Sequence, residues 1–61
     1  MDKRIHIGDF VELTRDISIL DHNVSKGEKG QVINLTAAFA EIKFSNIVLD
    51  VSYGDFKKDK L

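Results

Sequence analysis

The sequence predicts an all-β domain: a small five-stranded antiparallel sheet rolled into a barrel. Three observations predict it. Val and Ile supply twelve of the 61 residues and recur in short runs separated by Gly, Asn, Asp and Ser; their branched side chains suit a pleated strand better than a helix. Several runs alternate apolar and polar residues with period two, the signature of a half-buried strand. Finally, four to five short strands in an open sheet would leave an apolar face bare, whereas a strongly bent, closed sheet buries one alternating set and leaves few edges. At this length a single domain over 1–61 is expected, with 1–4 and 59–61 as frayed ends.

The elements follow in order. From Ile7 to Arg15 the residues Ile7, Val11 and Leu13 share one side, while Glu12 and Thr14 face water. Residues 16–27 read as a long connection. Ile17, Ile19, Leu20 and Val24 are too many apolar groups for a solvated loop, so it is expected to fold back over the core. Gly27-Glu28-Lys29-Gly30 opens a second strand, Gln31 to Leu35, its glycines serving positive-φ or close-approach positions. Thr36-Ala37-Ala38 turns the chain into a third strand, Phe39 to Phe44, with Ala40, Ile42 and Phe44 inward and Glu41 and Lys43 outward. After the turn Ser45-Asn46, Ile47, Leu49 and Val51 share a face on a fourth strand, opposite Val48 and Asp50. Tyr53-Gly54-Asp55-Phe56 reads as a tight turn leading to a short last strand.

Three blocks then stand in sequence: Ile7-Gly8-Asp9-Phe10-Val11-Glu12-Leu13, Gly27-Glu28-Lys29-Gly30-Gln31-Val32 and Ala40-Glu41-Ile42-Lys43-Phe44. Together they resemble the Src-homology-3-like small β-barrel, and more narrowly the Gly-x-x-Gly-x-Val core of KOW-type modules in ribosomal proteins and transcription elongation factors. Tyr53 to Lys58 sits where such barrels carry a short helical turn before the last strand. The resemblance implies several unrelated tasks. KOW-type modules contact RNA or a protein neighbour, and the barrel subunits of photosystems and ferredoxin-dependent reductases dock electron-transfer proteins. Proline-rich peptide recognition needs an aromatic groove, for which a chain without Trp and with Tyr53 as its one Tyr is poorly supplied.

Charge and composition narrow the function further. Nine Lys and Arg against ten Asp and Glu leave a net charge of −1, so any basic patch must be local. Lys57, Lys58 and Lys60 read as a solvated end that blunts a strand edge. Without Cys there is no disulfide, thiolate nucleophile or zinc knuckle. No stretch has the apolar run of a signal peptide or membrane span, so a cytoplasmic location and no membrane partner are expected. The glycosylation patterns at Asn23-Val24-Ser25 and Asn34-Leu35-Thr36 are then chance matches. Ser18, Asp21, His22 and Ser25 share a loop, but a barrel this small offers little room for a pocket that holds nucleophile and base in register. Asp16, Asp21, His22 and Asn23 lack the spacing of a calcium loop. His6 reads as an outward group at a strand start. No enzyme activity, metal or cofactor is expected.

What remains is a surplus of apolar residues. Val32, Ile33 and Leu35 crowd one short strand, and Phe10 and Val48 lie on the parity opposite their strands' core sets. Either bulges rotate them inward or they form an outer patch that meets another protein or a second copy of the chain. The leading expectation is therefore a non-catalytic protein-interaction barrel: an adaptor, an accessory subunit or a small inhibitor of the kind phages and mobile elements encode. Phe10, Ile33, Val48, Ile19 and Leu20 are its candidate contact residues, with a protein partner or a homodimer. The alternative is a KOW-like RNA-, ribosome- or transcription-associated module. It would use Arg15, Lys26, Lys29, Lys43 and Phe39, provided that loops 15–29 and 36–39 converge at one barrel end. A third reading is an accessory subunit of an electron-transfer complex.

Overall fold

The apolar alternation does drive the chain into extended segments, several of them joined by turns where Gly, Asn, Asp or Ser interrupts it. The structure, a computed structural model, describes residues 4–59; the fraying expected of 1–3, 60 and 61 lies outside the described residues. The strands are β1 (Phe10–Leu13), β2 (Ile17–Ile19), β3 (His22–Val24), β4 (Lys29–Leu35), β5 (Phe39–Phe44), β6 (Ile47–Ser52) and β7 (Phe56–Lys58), with a 3-10 turn at Tyr53–Asp55 between β6 and β7. Five of them form one antiparallel sheet in the order β6-β5-β4-β1-β7, and β2 pairs with β3 as a separate ribbon. Near the expected frayed end, Asp59 is tied down: its N–H donates to the Phe10 carbonyl at 2.9 Å.

Among the described residues β6 and β7 do not pair with each other, so the sheet has two edges and the closed cylinder expected from the sequence is not found. Its apolar face is covered in part by the β2–β3 ribbon. The buried core comprises Val11, Leu13, Val32, Ala40, Ile42, Phe44, Leu49, Val51 and Phe56 of the sheet together with Val24 of β3, and Ile17 and Ile19 of β2 pack against it. As expected of residues 16–27, the ribbon folds over apolar surface, here that of a sheet which is not closed.

Two local expectations are corrected, and one that was left open is decided. Ile7 lies 62% exposed instead of on the core side, because the chain turns before β1 begins. The Asp9 carboxylate accepts the His6 backbone N–H at 2.8 Å, the Asp9 N–H returns to the His6 carbonyl at 3.0 Å, and Gly8 takes a φ of 99°. Residues 16–27 do fold back over the core, but as a hairpin and not as an irregular connection, in register Ile17↔Val24, Ser18↔Asn23 and Ile19↔His22. In β4 the pairing shifts between Val32↔Ile42 and Asn34↔Glu41, a β-bulge. The bulge resets the side-chain parity: Val32 is buried, Ile33 stays outside, and Leu35 turns back to pack on the core.

The glycines of the Gly27-Glu28-Lys29-Gly30 block divide their work. Gly27 has a φ of 93°, in the half of the backbone map that side chains avoid. Gly30 is buried beneath Ile42 and Phe44 and has no space for a Cβ.

Candidate interaction surface

The register determines which residues meet on the outer face of the sheet, since directly opposed residues of an antiparallel pair point the same way. Phe10 pairs with Gln31, Gln31 with Lys43 and Lys43 with Val48. These four therefore form one rung crossing β1, β4, β5 and β6. Toward one end the next rung holds Lys57, Glu12 and Lys29. Toward the other it holds Asn34, Glu41 and Asp50, with Ile33 on the bulge between. The outer face is thus banded: mixed charge at one end, an apolar and polar middle, and two facing carboxylates at the other.

Of the expected contact residues, Phe10 is 49% exposed, Val48 46% and Ile33 42%, and all three lie on this face. Phe10 and Val48 stand three strands apart, about 14 Å at the usual strand spacing, with the Lys43 stem between them; such a stem can extend an apolar surface while its ammonium stays in water. Leu20 is at the tip of the β2–β3 hairpin, nearly fully exposed, with a φ of 55° that a leucine rarely adopts. Ile19, in contrast, is half-buried against the core, so it supports the hairpin instead of presenting a contact.

The residues expected to bind nucleic acid are brought together only in part: Lys29 and Lys43 share one depression, but Phe39 lies elsewhere. The turn at 36–38 follows the last residue of β4, whereas 25–28 precedes its first, so Phe39 and the Lys26 turn lie at opposite ends of a seven-residue strand, roughly 20 Å apart. Arg15 lies 3.4 Å from the Asp55 carboxylate and Lys29 3.6 Å from that of Asp59. Among the described residues no ion pair engages Lys26 or Lys43. Phe10, Lys29, Gly30, Gln31, Lys43, Phe44 and Ser45 line an open depression on the sheet, where Phe10, and not Phe39, is the exposed aromatic that accompanies the lysines.

Elsewhere, polar groups are engaged in holding turns. Ser18 Oγ lies 2.7 Å from Asn23 Oδ1 across the hairpin, and Asp16 accepts the Lys26 N–H at 2.7 Å, closing the hairpin's base. The Tyr53 hydroxyl donates to the Thr36 carbonyl, and its ring lies 6.0 Å from that of Phe56, fastening the 3-10 turn to the β4–β5 turn. The Asp9 carboxyl is held below its ordinary value of 3.8, first by the His6 N–H it accepts and, against an opposing effect of burial, by the charges of Lys58 and His6. Lys58 lies 3.6 Å from it. The surface signal that sequence reasoning missed is Tyr53, 40% exposed. The pairing of Glu41 with Asp50 also escaped it, because opposition across strands depends on register.

No helix among the described residues is long and apolar enough to cross a membrane. Compared with models of protein families, with curated proteins and with solved structures, the chain matches none.

Proposed function

We propose that this chain is a non-catalytic protein-interaction domain, an adaptor or accessory subunit, that meets its partner through the outer face of its five-stranded sheet. The observation that carries the reading is the rung Phe10, Gln31, Lys43 and Val48. It sets two exposed apolar side chains on one face, with exposed Ile33 on the same face. Exposed apolar groups on a protein of this size cost solubility, and grouped on one face they are the usual ground plan of a docking surface. We also propose that the fold is a Src-homology-3-like small barrel left open between β6 and β7. Five antiparallel strands, a core on one face and a 3-10 turn ahead of the last strand support this.

The test is affinity capture with the wild type and with Phe10→Ser and Ile33→Ser, both on the exposed face. A defined partner retained by the wild type and lost by folded Phe10→Ser supports the reading. Retention by both variants at wild-type levels removes this face from the interface.

A second reading is favoured by one observation: Phe10 shares its depression with Lys29 and Lys43. In this reading a single-stranded nucleic acid stacks a base on Phe10 and sets phosphates against the two lysines. Binding to single-stranded RNA that weakens steeply with salt, and that Lys29→Glu abolishes, would support it. Binding absent at low ionic strength removes it.

A further inference from the structure

We propose that the free edge of β6 accepts an extended segment of a partner protein as an added strand, with an apolar residue beside Val48 and a basic residue opposite Asp50. This rests on the protein-interaction reading and specifies the partner's chemistry. β6 is six residues long and pairs on one side only, with β5. That ladder runs without interruption from Phe39↔Ser52 to Phe44↔Ile47. In an antiparallel ladder closed by a two-residue turn, alternate residues send their N–H and C=O groups away from the paired strand. For β6 those are Val48, Asp50 and Ser52, a row of donors and acceptors open to a further strand.

The two edges of the sheet differ in a way that selects β6. β7 is three residues long and carries Lys57 and Lys58, the kind of short, lysine-bearing edge that resists pairing. β6 has no Lys, Arg or Pro and no bulge in its register. The charge on β6 then selects the occupant. Asp50 stands directly opposite Glu41, and like charges so placed destabilise a sheet. Among the described residues neither forms an ion pair. A cation on an added strand, opposite Asp50, offsets that repulsion. A second copy paired through its own β6 would set no cation directly opposite Asp50, because β6 itself carries neither Lys nor Arg.

The experiment uses the full chain, labelled for amide resonances, and two short synthetic peptides, one alternating valine with lysine and one alternating valine with glutamate. The expected result is saturable movement of the Val48, Asp50 and Ser52 amides by the lysine peptide, with the glutamate peptide weaker by roughly fivefold or more. Asp50→Lys reverses that preference. Val48→Pro, which deletes an outward N–H that the fold does not use, weakens both peptides. Equal binding of the two peptides overturns the proposal, as does movement confined to Phe10 and Gln31. A concentration-dependent dimer dispersed by Val48→Pro assigns the edge to a second copy and likewise overturns it. Capture of a partner that depends on Phe10 and not on Val48→Pro would leave the protein-interaction reading standing while this inference fails.

Discussion

A Cβ on Gly30 would stand 2.6 Å from Ile42 Cγ2, 2.8 Å from the Lys43 carbonyl oxygen and 2.9 Å from Phe44 Cδ1. The second of these is backbone in the middle of a paired strand and cannot swing aside. Gly30→Ala is therefore expected to destabilise by about 3 kcal/mol, the upper range for overpacking a core. Gly27 has an open site but a positive φ, so Gly27→Ala is expected to cost about 1 kcal/mol, and Gly27→Asn less, because asparagine tolerates that region better. Denaturant melts of the wild type and the three variants check the ranking, and a Gly30→Ala protein as stable as Gly27→Ala would refute it. Asp9 yields the pH dependence. Its folded value lies below 3.8, so its contribution to stability is fully present above that value and is lost as pH falls through the depressed one. Asp9→Asn is expected to melt below the wild type at neutral pH and to converge with it in strong acid; a constant gap across that range would show the carboxylate charge is not involved.

At the scale of elements, the β2–β3 hairpin is where sequence and structure part most. Hairpins are recognised by turn residues that accept positive φ, Asn-Gly or Asp-Gly above all, and this one turns on Leu20-Asp21. Leucine at a φ of 55° stores roughly 1 kcal/mol of strain, so nothing local announced the turn. It forms because Ile17, Ile19 and Val24 gain core contacts on either side, a tertiary effect outweighing a local one. Leu20→Asn is accordingly expected to stabilise the chain by up to about 1 kcal/mol while removing an exposed apolar tip. If it weakens partner capture at the same time, the strain is kept for contact; a lower melting temperature would mean that Leu20 packs in solution. A bulge was one of two alternatives for β4, and its position was undecided for a similar reason. Val32, Ile33 and Leu35 are one apolar cluster in sequence, and their separation into inside, outside and inside comes from a shift in pairing with β5 that a one-dimensional pattern does not encode. Strands β5 and β6, by comparison, were legible nearly to the residue, because strict alternation over five or more positions admits one register of faces.

For the molecule as a whole, stability rests on a core of ten buried apolar residues among the described ones, with no buried polar group among them. That makes the two faces of the same strand pair respond oppositely to one chemical change. Ile42 on β5 is fully buried, while Val48, opposite its neighbour Lys43 on β6, is nearly half exposed. Ile42→Asp places an unpaired carboxylate in the core, a cost of several kcal/mol that approaches the whole stability of a domain this small. Val48→Asp leaves its charge in water, close to the Lys43 ammonium, and is expected to shift stability by no more than about 0.5 kcal/mol. Val11→Asp on β1 should behave as Ile42→Asp does, since both lie in the same core. Amide spectra at one temperature decide it: collapsed dispersion for Ile42→Asp and Val11→Asp, and a native spectrum for Val48→Asp. A native spectrum for either core variant would mean that the sheet does not bury this face, and the outer rung would then lose its claim to be the surface left for a partner.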